Sequence, residues 1–227
     1  MPPRPQSLDP GAQSPDNTPV SCPQLILASR SPRRAALLRN AGYRFTVMTP
    51  AFEDPPSPGQ SDPAGLAVDL SQRKAASVVA AAPERCVILA ADTIVLAPEA
   101  SRWIALGQPR DRLEAADMLG RLLNTDHRVL TAVSIHSTEV GQIESFVDVT
   151  GVHIGQVADT QLQEYLDSEQ WRGKAGAYNI LELRERWSFE LKGDPATVAG
   201  LPMVTLQPRL LAWSILPQAP QPGSTTT

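Results

Sequence analysis

Cysteine, aromatic residues and long apolar runs are all scarce in this 227-residue chain. The two cysteines, Cys22 and Cys86, lie far apart without CxxC partners, which argues against a disulfide framework and a cysteine zinc site. No apolar stretch approaches the roughly 20 residues of a membrane-spanning helix. Lys and Arg form no block and the net charge is −4, so binding to a nucleic-acid polymer is not expected. These absences predict a soluble cytoplasmic protein that binds neither nucleic acid nor membrane.

Proline is abundant, and it marks both ends of the chain. Residues 1–23 carry seven prolines and hardly any large apolar side chains, a composition unlike that of a secretory signal. Residues 217–227 have the same character. Such segments bury too little apolar surface to offset the entropy of ordering. We expect two disordered tails around one folded core at residues 24–216.

Strand and helix patterns alternate through this core, which is typical of an α/β protein. Strands are predicted at residues 25–28, 45–48, 87–96, 128–136 and 146–154, and helices at 32–41, 63–82 and 159–166. A further helix starts at Asp111, where Glu114 makes a capping-box-like start. Four residues are expected on its inner face: Leu113, Ala116, Leu119 and Leu123.

The stretch Leu25–Gly42 predicts a strand, a tight polar turn and a helix whose first turn suits an anion. Ser31 is a good N-cap, and a helix start presents unpaired N–H groups and the positive end of the helix dipole. Ser29, Ser31, Arg33 and Arg34 bring hydroxyls and two guanidiniums to that point, and arginine prefers planar partners such as phosphate oxygens. The alternative is an ordinary strand–turn–helix with two solvated arginines.

Asp92 interrupts the strongly apolar strand VILAADTIVL. Burial of a carboxylate is costly unless the group is paired, hydrogen-bonded or bound to metal. Asp92 is therefore either a strand-end residue that caps a turn at Asp92–Thr93, or a carboxylate in a cleft that acts as general base or metal ligand.

Two lysines and an acidic loop add to these candidates. Lys74 lies on an apolar helix face, where it either extends outward to solvent or meets an anion. Lys174 lies in a glycine-punctuated segment that lets backbone approach a phosphate closely, although glycine-rich turns are common. Glu53 and Asp54 are either metal-binding carboxylates or a solvated turn. His127 has no partner at ligand spacing, and we interpret it as structural.

Together these residues favour polyphosphate chemistry. Several cations are needed to bind a polyphosphate, and its hydrolysis usually needs carboxylates that hold a divalent metal and activate water.

The sequence resembles the Maf family of nucleoside triphosphate pyrophosphatases from Leu25 to about Leu206. The matching motifs, in chain order, are ASRSPRR, PAFED, SQRKA, AADTIV, GQPRDRLEAADML, HRVLTAVSI, GKAGAYNI and GDPATVAGLP.

The resemblance implies a two-lobed fold around a curved mixed sheet with a central cleft. It also implies hydrolysis of a nucleoside triphosphate between the α- and β-phosphates, with Mg²⁺ or Mn²⁺, and suggests a homodimer. In that comparison Asp92 is the proton acceptor and, with Asp54, a metal ligand. The phosphate-side residues are Ser29, Ser31, Arg33, Arg34, Lys74 and Lys174.

Three departures from the family pattern bear on activity and base choice. The chain has Gly-Gln-Pro, with Gln108 at its centre, where the family usually has Gly-Lys-Pro, and this removes one phosphate-facing charge. Glu53-Asp54 replaces the usual Asp-Glu. Three positions correlate with base choice in the family: Arg33, Thr93 and Leu181. The first two match the branch that acts on dTTP and UTP, whereas Leu181 replaces a glutamine and cannot hydrogen-bond a base.

Two main functions of different classes follow from the sequence. The leading hypothesis is a metal-dependent nucleotide pyrophosphatase that removes non-standard or excess nucleotides. The alternative is a nucleotide-binding regulator of cell division with little turnover, for which the missing lysine at Gln108 is the argument. A weaker third hypothesis is a phosphate-recognition scaffold that binds a protein partner through its tails.

Overall fold

The computed structural model describes residues 23–52 and 62–218, which contain seven β-strands and seven α-helices. The strands are β1 (Gln24–Ala28), β2 (Thr46–Met48), β3 (Cys86–Glu99), β4 (Arg102–Leu106), β5 (Thr125–Ser137), β6 (Ile143–Ile154) and β7 (Phe189–Lys192). The helices are α1 (Pro32–Asn40), α2 (Pro63–Val79), α3 (Arg112–Leu122), α4 (Asp159–Asp167), α5 (Ile180–Leu183), α6 (Pro195–Val198) and α7 (Met203–Ala212). Nearly all of the two predicted tails, and the acidic pair Glu53 and Asp54, lie outside the described residues.

One mixed sheet contains all seven strands, in the order β2-β1-β3-β5-β6-β7, with β4 also paired to β3. The β1 strand runs parallel to β2 and β3, and the other pairs are antiparallel. The predicted α/β class with a mixed sheet is therefore confirmed. Within the described ranges, no helix combines the length and apolar character needed to cross a membrane.

The central strand β3 is longer than β1 and β4, which pair with different parts of the same edge of β3. Residues 24–28 pair with residues 86–90, and residues 102–106 pair with residues 95–99. At residues 91–94 that edge therefore has no neighbouring strand among the described residues. Because β1 is parallel and β4 antiparallel to β3, both end at this gap. In open α/β sheets, ligands commonly bind in a crevice outside the carboxyl ends of strands.

Alternate residues of β3 face different helix layers, because successive side chains of a strand point to opposite faces. Ile94 packs in a cluster with α2, whereas Ala91 packs in a cluster with α1 and α7. Asp92 lies on the α2 face with Ile94, and Thr93 lies on the opposite face. The strand is continuous through both residues and pairs with β5 there, so Asp92 is not a strand-end residue that caps a turn.

The predicted inner face of the helix after Asp111 is wrong in part. The N-cap is correct, since the Asp111 carboxylate accepts from the backbone N–H of Glu114. Leu113, however, is 81% exposed. The buried face is the stripe Ala115, Met118, Leu119 and Leu122. This stripe follows the i, i+3, i+4, i+7 spacing of one helix face more closely than the predicted set does.

Candidate active site

A cleft of about 520 Å³ opens at the gap beside β3. Its walls come from the β1–α1 turn, the middle of β3, the end of β4 and the segment around Gly173. The predicted residues that line it are Ser29, Ser31, Arg33, Arg34, Lys74, Asp92 and Thr93. Residues far apart in sequence thus meet where two strands end against a third.

Asp92 and Lys74 form a buried ion pair on the α2 face of the sheet. The Lys74 Nζ atom lies 2.6 Å from Asp92 Oδ1, and the two side chains are only 12% and 8% exposed. Lys74 therefore does not extend outward to solvent; of the two predicted outcomes, it meets an anion. The pair places a carboxylate in the wall of a cleft that a phosphate chain can enter.

The β1–α1 turn positions its hydroxyls through local bonds. The backbone N–H of Ser31 donates to Ser29 Oγ at 3.0 Å, and Ser31 Oγ caps α1 through the N–H of Arg34. Both hydroxyl oxygens therefore help to hold the turn, and Ser29 is buried.

Arg34 and Arg33 differ in how they are held. The guanidinium of Arg34 donates to the carbonyl of Gly200 at 2.7 Å, to Thr93 Oγ1 at 3.1 Å and to Ser29 Oγ at 3.4 Å. Arg33 is half-buried and has no hydrogen-bond partner among the described residues. Burial lowers the pKa of the Arg33 guanidinium, and the charge of Glu182 acts against that shift. Of these two cations, Arg33 is the better placed to take up a phosphate oxygen.

Thr93 lies on the opposite face of β3 from Asp92, within a chain of hydroxyl groups. Its Oγ1 is 3.0 Å from Thr131 Oγ1, on the facing residue of β5. Thr131 donates in turn to the carbonyl of Thr197 at 2.8 Å. A Cβ added at Gly200 would lie 3.2 Å from Thr93 Oγ1 and from the Nε of Arg34, so this glycine permits a close approach of backbone to the site.

The ammonium of Lys174 is buried and bonded to the carboxylate of Glu182. The side-chain N–H of Asn179 donates to the other Glu182 oxygen at 2.5 Å. Burial acts to raise the pKa of the Glu182 carboxyl, but the bonds from Lys174 and Asn179 and the charges of Lys174 and Arg33 outweigh it and leave that pKa lowered. Glu182 was missed by sequence reasoning, because no motif marks it; Arg30 and Arg110, which also line the cleft, were missed as well.

Two of the three family departures, Gln108 and Leu181, lie within the described residues and differ in their position relative to the cleft. Gln108 lines the cleft and is exposed, so a side chain at this position reaches the substrate space. Leu181 is 43% exposed and lies outside the set of described residues that line the cleft. Lys174 is also outside that set, although its neighbours Gly173 and Ala175 belong to it.

His127 lies in the core, in agreement with its structural interpretation. It is 1% exposed, and its Nε2 is 2.9 Å from the hydroxyl of Tyr178, a residue of the cleft wall. Burial lowers the pKa of His127 to about 4. Its Nδ1 faces the backbone carbonyl of Thr125 at 3.3 Å, so the neutral ring carries its proton there, and Nε2 accepts from the Tyr178 hydroxyl.

Acidic groups are sparse around the cleft. Asp92 is the one carboxylate that lines it among the described residues, and the described ranges contain no cluster of three or more His, Cys, Asp or Glu residues able to hold a metal. Asp54, the second predicted ligand, lies outside those ranges.

Comparison with known proteins finds relatives that match most of the chain. The chain is 36% identical over 190 residues to a dTTP/UTP pyrophosphatase from Carboxydothermus hydrogenoformans, covering 84% of this chain and 98% of that protein. It is 39% identical over 179 residues to a dTTP/UTP pyrophosphatase from Halalkalibacterium halodurans, covering 79% and 90%. A solved nucleoside-triphosphatase / dITP/XTP pyrophosphatase from Mycobacterium abscessus overlaps 59% of this chain and 75% of that one, with a TM-score of 0.36 and 15% identity, a likeness too low to carry an argument.

The model of the family described as Maf-like protein matches residues 24–212. This match spans β1 to α7 and contains every described residue of the cleft, so the chain belongs to the Maf-like protein family.

Proposed function

We propose that this protein hydrolyses the α–β phosphoanhydride of a nucleoside triphosphate and releases a nucleoside monophosphate and pyrophosphate. The observation that carries the proposal is the buried Asp92–Lys74 pair in a cleft that also contains the half-buried guanidinium of Arg33. Family membership and the activity named for the relatives support it.

The residues divide the reaction between them. The Asp92 carboxylate accepts a proton from a water molecule. The water oxygen bonds to the α-phosphorus as the bond between that phosphorus and the α–β bridging oxygen breaks. Lys74 fixes that carboxylate through Oδ1 and adds positive charge beside the phosphate chain. Arg33 offers N–H donors to the phosphate oxygens, and pyrophosphate leaves with the bridging oxygen.

A divalent metal, Mg²⁺ or Mn²⁺, is part of the proposal. Mg²⁺ is commonly held by one or two carboxylates together with substrate phosphates, and a single cleft-lining carboxylate fits that mode. Asp92 and Asp54 are the proposed ligands. When bound, the metal would neutralise charge on the phosphate oxygens.

For the base we propose thymine or uracil. The relatives are named for dTTP and UTP, and Arg33 and Thr93 match that branch. Leu181 does not weaken the proposal, since it lies outside the described cleft lining. The homodimer is proposed on the resemblance, and the molar mass in solution tests it.

Pyrophosphate release from a panel of standard and modified nucleotides, with Mg²⁺ or Mn²⁺, tests the function. We expect release from dTTP and UTP, and a loss of roughly 10²–10⁴-fold in Asp92→Asn, because the near-isosteric amide cannot accept the proton. Asp117→Asn, at an exposed ion pair with Arg121, is the matched control and should retain full activity. Near-normal turnover in Asp92→Asn would show that Asp92 is structural.

The regulator hypothesis is not favoured, because the relatives are named as enzymes and the carboxylate lies in the cleft. Tight nucleotide binding without pyrophosphate release would reverse this conclusion.

A further inference from the structure

The hydroxyl of Thr131 has only one possible direction of hydrogen bonding. It lies 2.8 Å from the backbone carbonyl of Thr197, which can only accept, so the single proton of Thr131 is used there. Across the pair of hydroxyls at 3.0 Å, Thr93 must therefore donate and Thr131 must accept. Turning Thr131 around would leave two oxygen lone pairs facing each other at 2.8 Å, although the carbonyl would keep its second bond, from the backbone N–H of Gly200 at 3.0 Å.

This arrangement leaves Thr93 able only to accept from a ligand. Its proton goes to Thr131, and one lone pair takes the N–H of Arg34 at 3.1 Å. A guanidinium cannot accept, so that bond has one direction as well. One lone pair of Thr93 Oγ1 remains without a partner among the described residues, and Thr93 lines the cleft.

The acceptor is held in place from behind. Thr131 and Thr197 are both fully buried. The hydroxyl of Thr197 donates to Asp148 Oδ1 at 2.6 Å, and the hydroxyl of Thr205 donates to Asp148 Oδ2 at 2.9 Å. Asp148 on β6 thus fixes α6 and α7 against the sheet, and with them the carbonyl that orients Thr131.

We infer that Thr131, which no substrate can touch, is a positioning residue for base selection because it makes Thr93 an acceptor only. Uracil and thymine carry an N–H at ring position 3, which satisfies such an acceptor. Cytosine carries a lone pair there, which repels it. The inference rests on the proposed function and names the base edge that the same cleft reads.

The test is the ratio of kcat/KM for UTP to kcat/KM for CTP in Thr131→Val. Valine keeps the shape but frees the Thr93 proton, which can then donate to cytosine. We expect the ratio to fall by about tenfold, equivalent to about 1.4 kcal/mol. Thr131→Ser, which restores the hydroxyl, should return the ratio to that of the wild type.

Thr150→Val is the matched control. Thr150 is equally buried on the neighbouring strand, and its hydroxyl donates to the carbonyl of Asp194 at 2.9 Å without contact to Thr93. Its ratio should be unchanged. An unchanged ratio in Thr131→Val, or an equal fall in Thr150→Val, would overturn the inference.

Two further measurements keep the inference testable. If melting shows that Thr131→Val is unfolded, 3-methyl-UTP with the wild type decides: cleavage at least tenfold slower than UTP supports the inference, and equal cleavage overturns it.

If the wild type hydrolyses no nucleotide, the proposed function fails. The affinities of UMP and CMP, measured by calorimetry, then test the base preference alone: about tenfold tighter binding of UMP supports it, and equal affinities overturn it.

Discussion

The two cleft cations Arg33 and Lys74 differ in the hydrogen bonds that they already make within the protein. Arg33 has no hydrogen-bond partner among the described residues, whereas Lys74 is bonded to Asp92. Both lie in the cleft wall, where a triphosphate brings more negative charge than a monophosphate. Charge-assisted hydrogen bonds contribute about 1.5–3 kcal/mol each.

Arg33→Ala and Lys74→Ala should therefore weaken binding of a non-hydrolysable triphosphate by at least tenfold and binding of the monophosphate by less. Calorimetry on both ligands measures the difference. Arg73→Ala is the control on α2, because Arg73 pairs with Asp69 on the surface. Equal losses for the two ligands would show that Arg33 and Lys74 do not bind the phosphate chain beyond the first group.

Gln108 offers a gain-of-function experiment. Gln108 is exposed in the cleft, so under the proposed function Gln108→Lys would place a positive charge near the negative charge that develops on the leaving pyrophosphate. A group aimed at charge in the transition state speeds the chemical step, and we expect kcat to rise about tenfold or more. Steady-state kinetics measures it. A fall from an already high rate would mean that Gln108 itself bonds the substrate.

The sequence indicates Asp92 and Lys74 because each is a charged residue at a position where the local pattern demands an apolar one. Glu182 carries no such signal. Its bond to Lys174 depends on the path of the chain between them, which no periodicity describes. Residues that break a pattern can be found from sequence, and residues that become partners through a turn cannot.

At the scale of elements, the sequence predicts where a buried strand lies better than it predicts which face of a helix is buried. The predicted strand at residues 87–96 becomes β3, because its continuous apolar run fits a strand buried on both faces. The predicted inner face of α3 is wrong in part because apolar residues occur on two neighbouring faces of this helix. Only tertiary packing selects the face with Ala115 and Met118 for burial. The gap beside β3 depends on where β1 and β4 end, and so appears only in the fold.

The segment from Gly173 to Leu183 shows what a turn can do to charge. Gly176, with φ of +66°, lets this segment approach Val95 of β3 and donate to the carbonyl of Gly107. The turn and α5 together bring the Glu182 carboxylate to Lys174. If Lys174 and Arg33 bind phosphate, as the family resemblance implies, Glu182 competes with that phosphate for Lys174 and, through its charge, for Arg33.

Glu182→Gln should strengthen binding of inorganic tripolyphosphate about fivefold, because two cations lose their competitor while the shape is kept. Calorimetry without added divalent metal isolates the contribution of the protein. Glu185→Gln removes the same charge from an exposed position two residues beyond this segment and should have little effect. Weaker binding in Glu182→Gln would mean that the carboxylate holds Lys174 in its binding position.

For the whole molecule, the buried His127 couples folding to pH. Its pKa is about 4 in the folded protein against 6.5 when unperturbed, so between these values the unfolded chain binds more protons. The contribution of His127 to the free energy of unfolding is complete above pH 6.5. As the pH falls to about 4, roughly 3 kcal/mol of it is lost.

Urea unfolding at pH 7 and pH 4.5 measures this loss. His127→Gln removes the titrating ring but can still accept from Tyr178, so its stability should depend less on pH than that of the wild type. His153→Gln, at an exposed pair with Asp126, should keep the wild-type dependence. If all three proteins lose equal stability, His127 does not titrate in this range.

Asp92 and Thr93 are neighbours in the chain, but they face opposite layers of one sheet. Each is supported by a different set of helices: Asp92 contacts Lys74 of α2, whereas Thr93 contacts Arg34 of α1 and, through Thr131, α6. Under the proposed function, mutations in the helices behind Thr93 would therefore change nucleotide preference while the Asp92 carboxylate keeps its surroundings. On that proposal, a lineage with this fold would acquire a new nucleotide preference in small steps and remain an active hydrolase throughout.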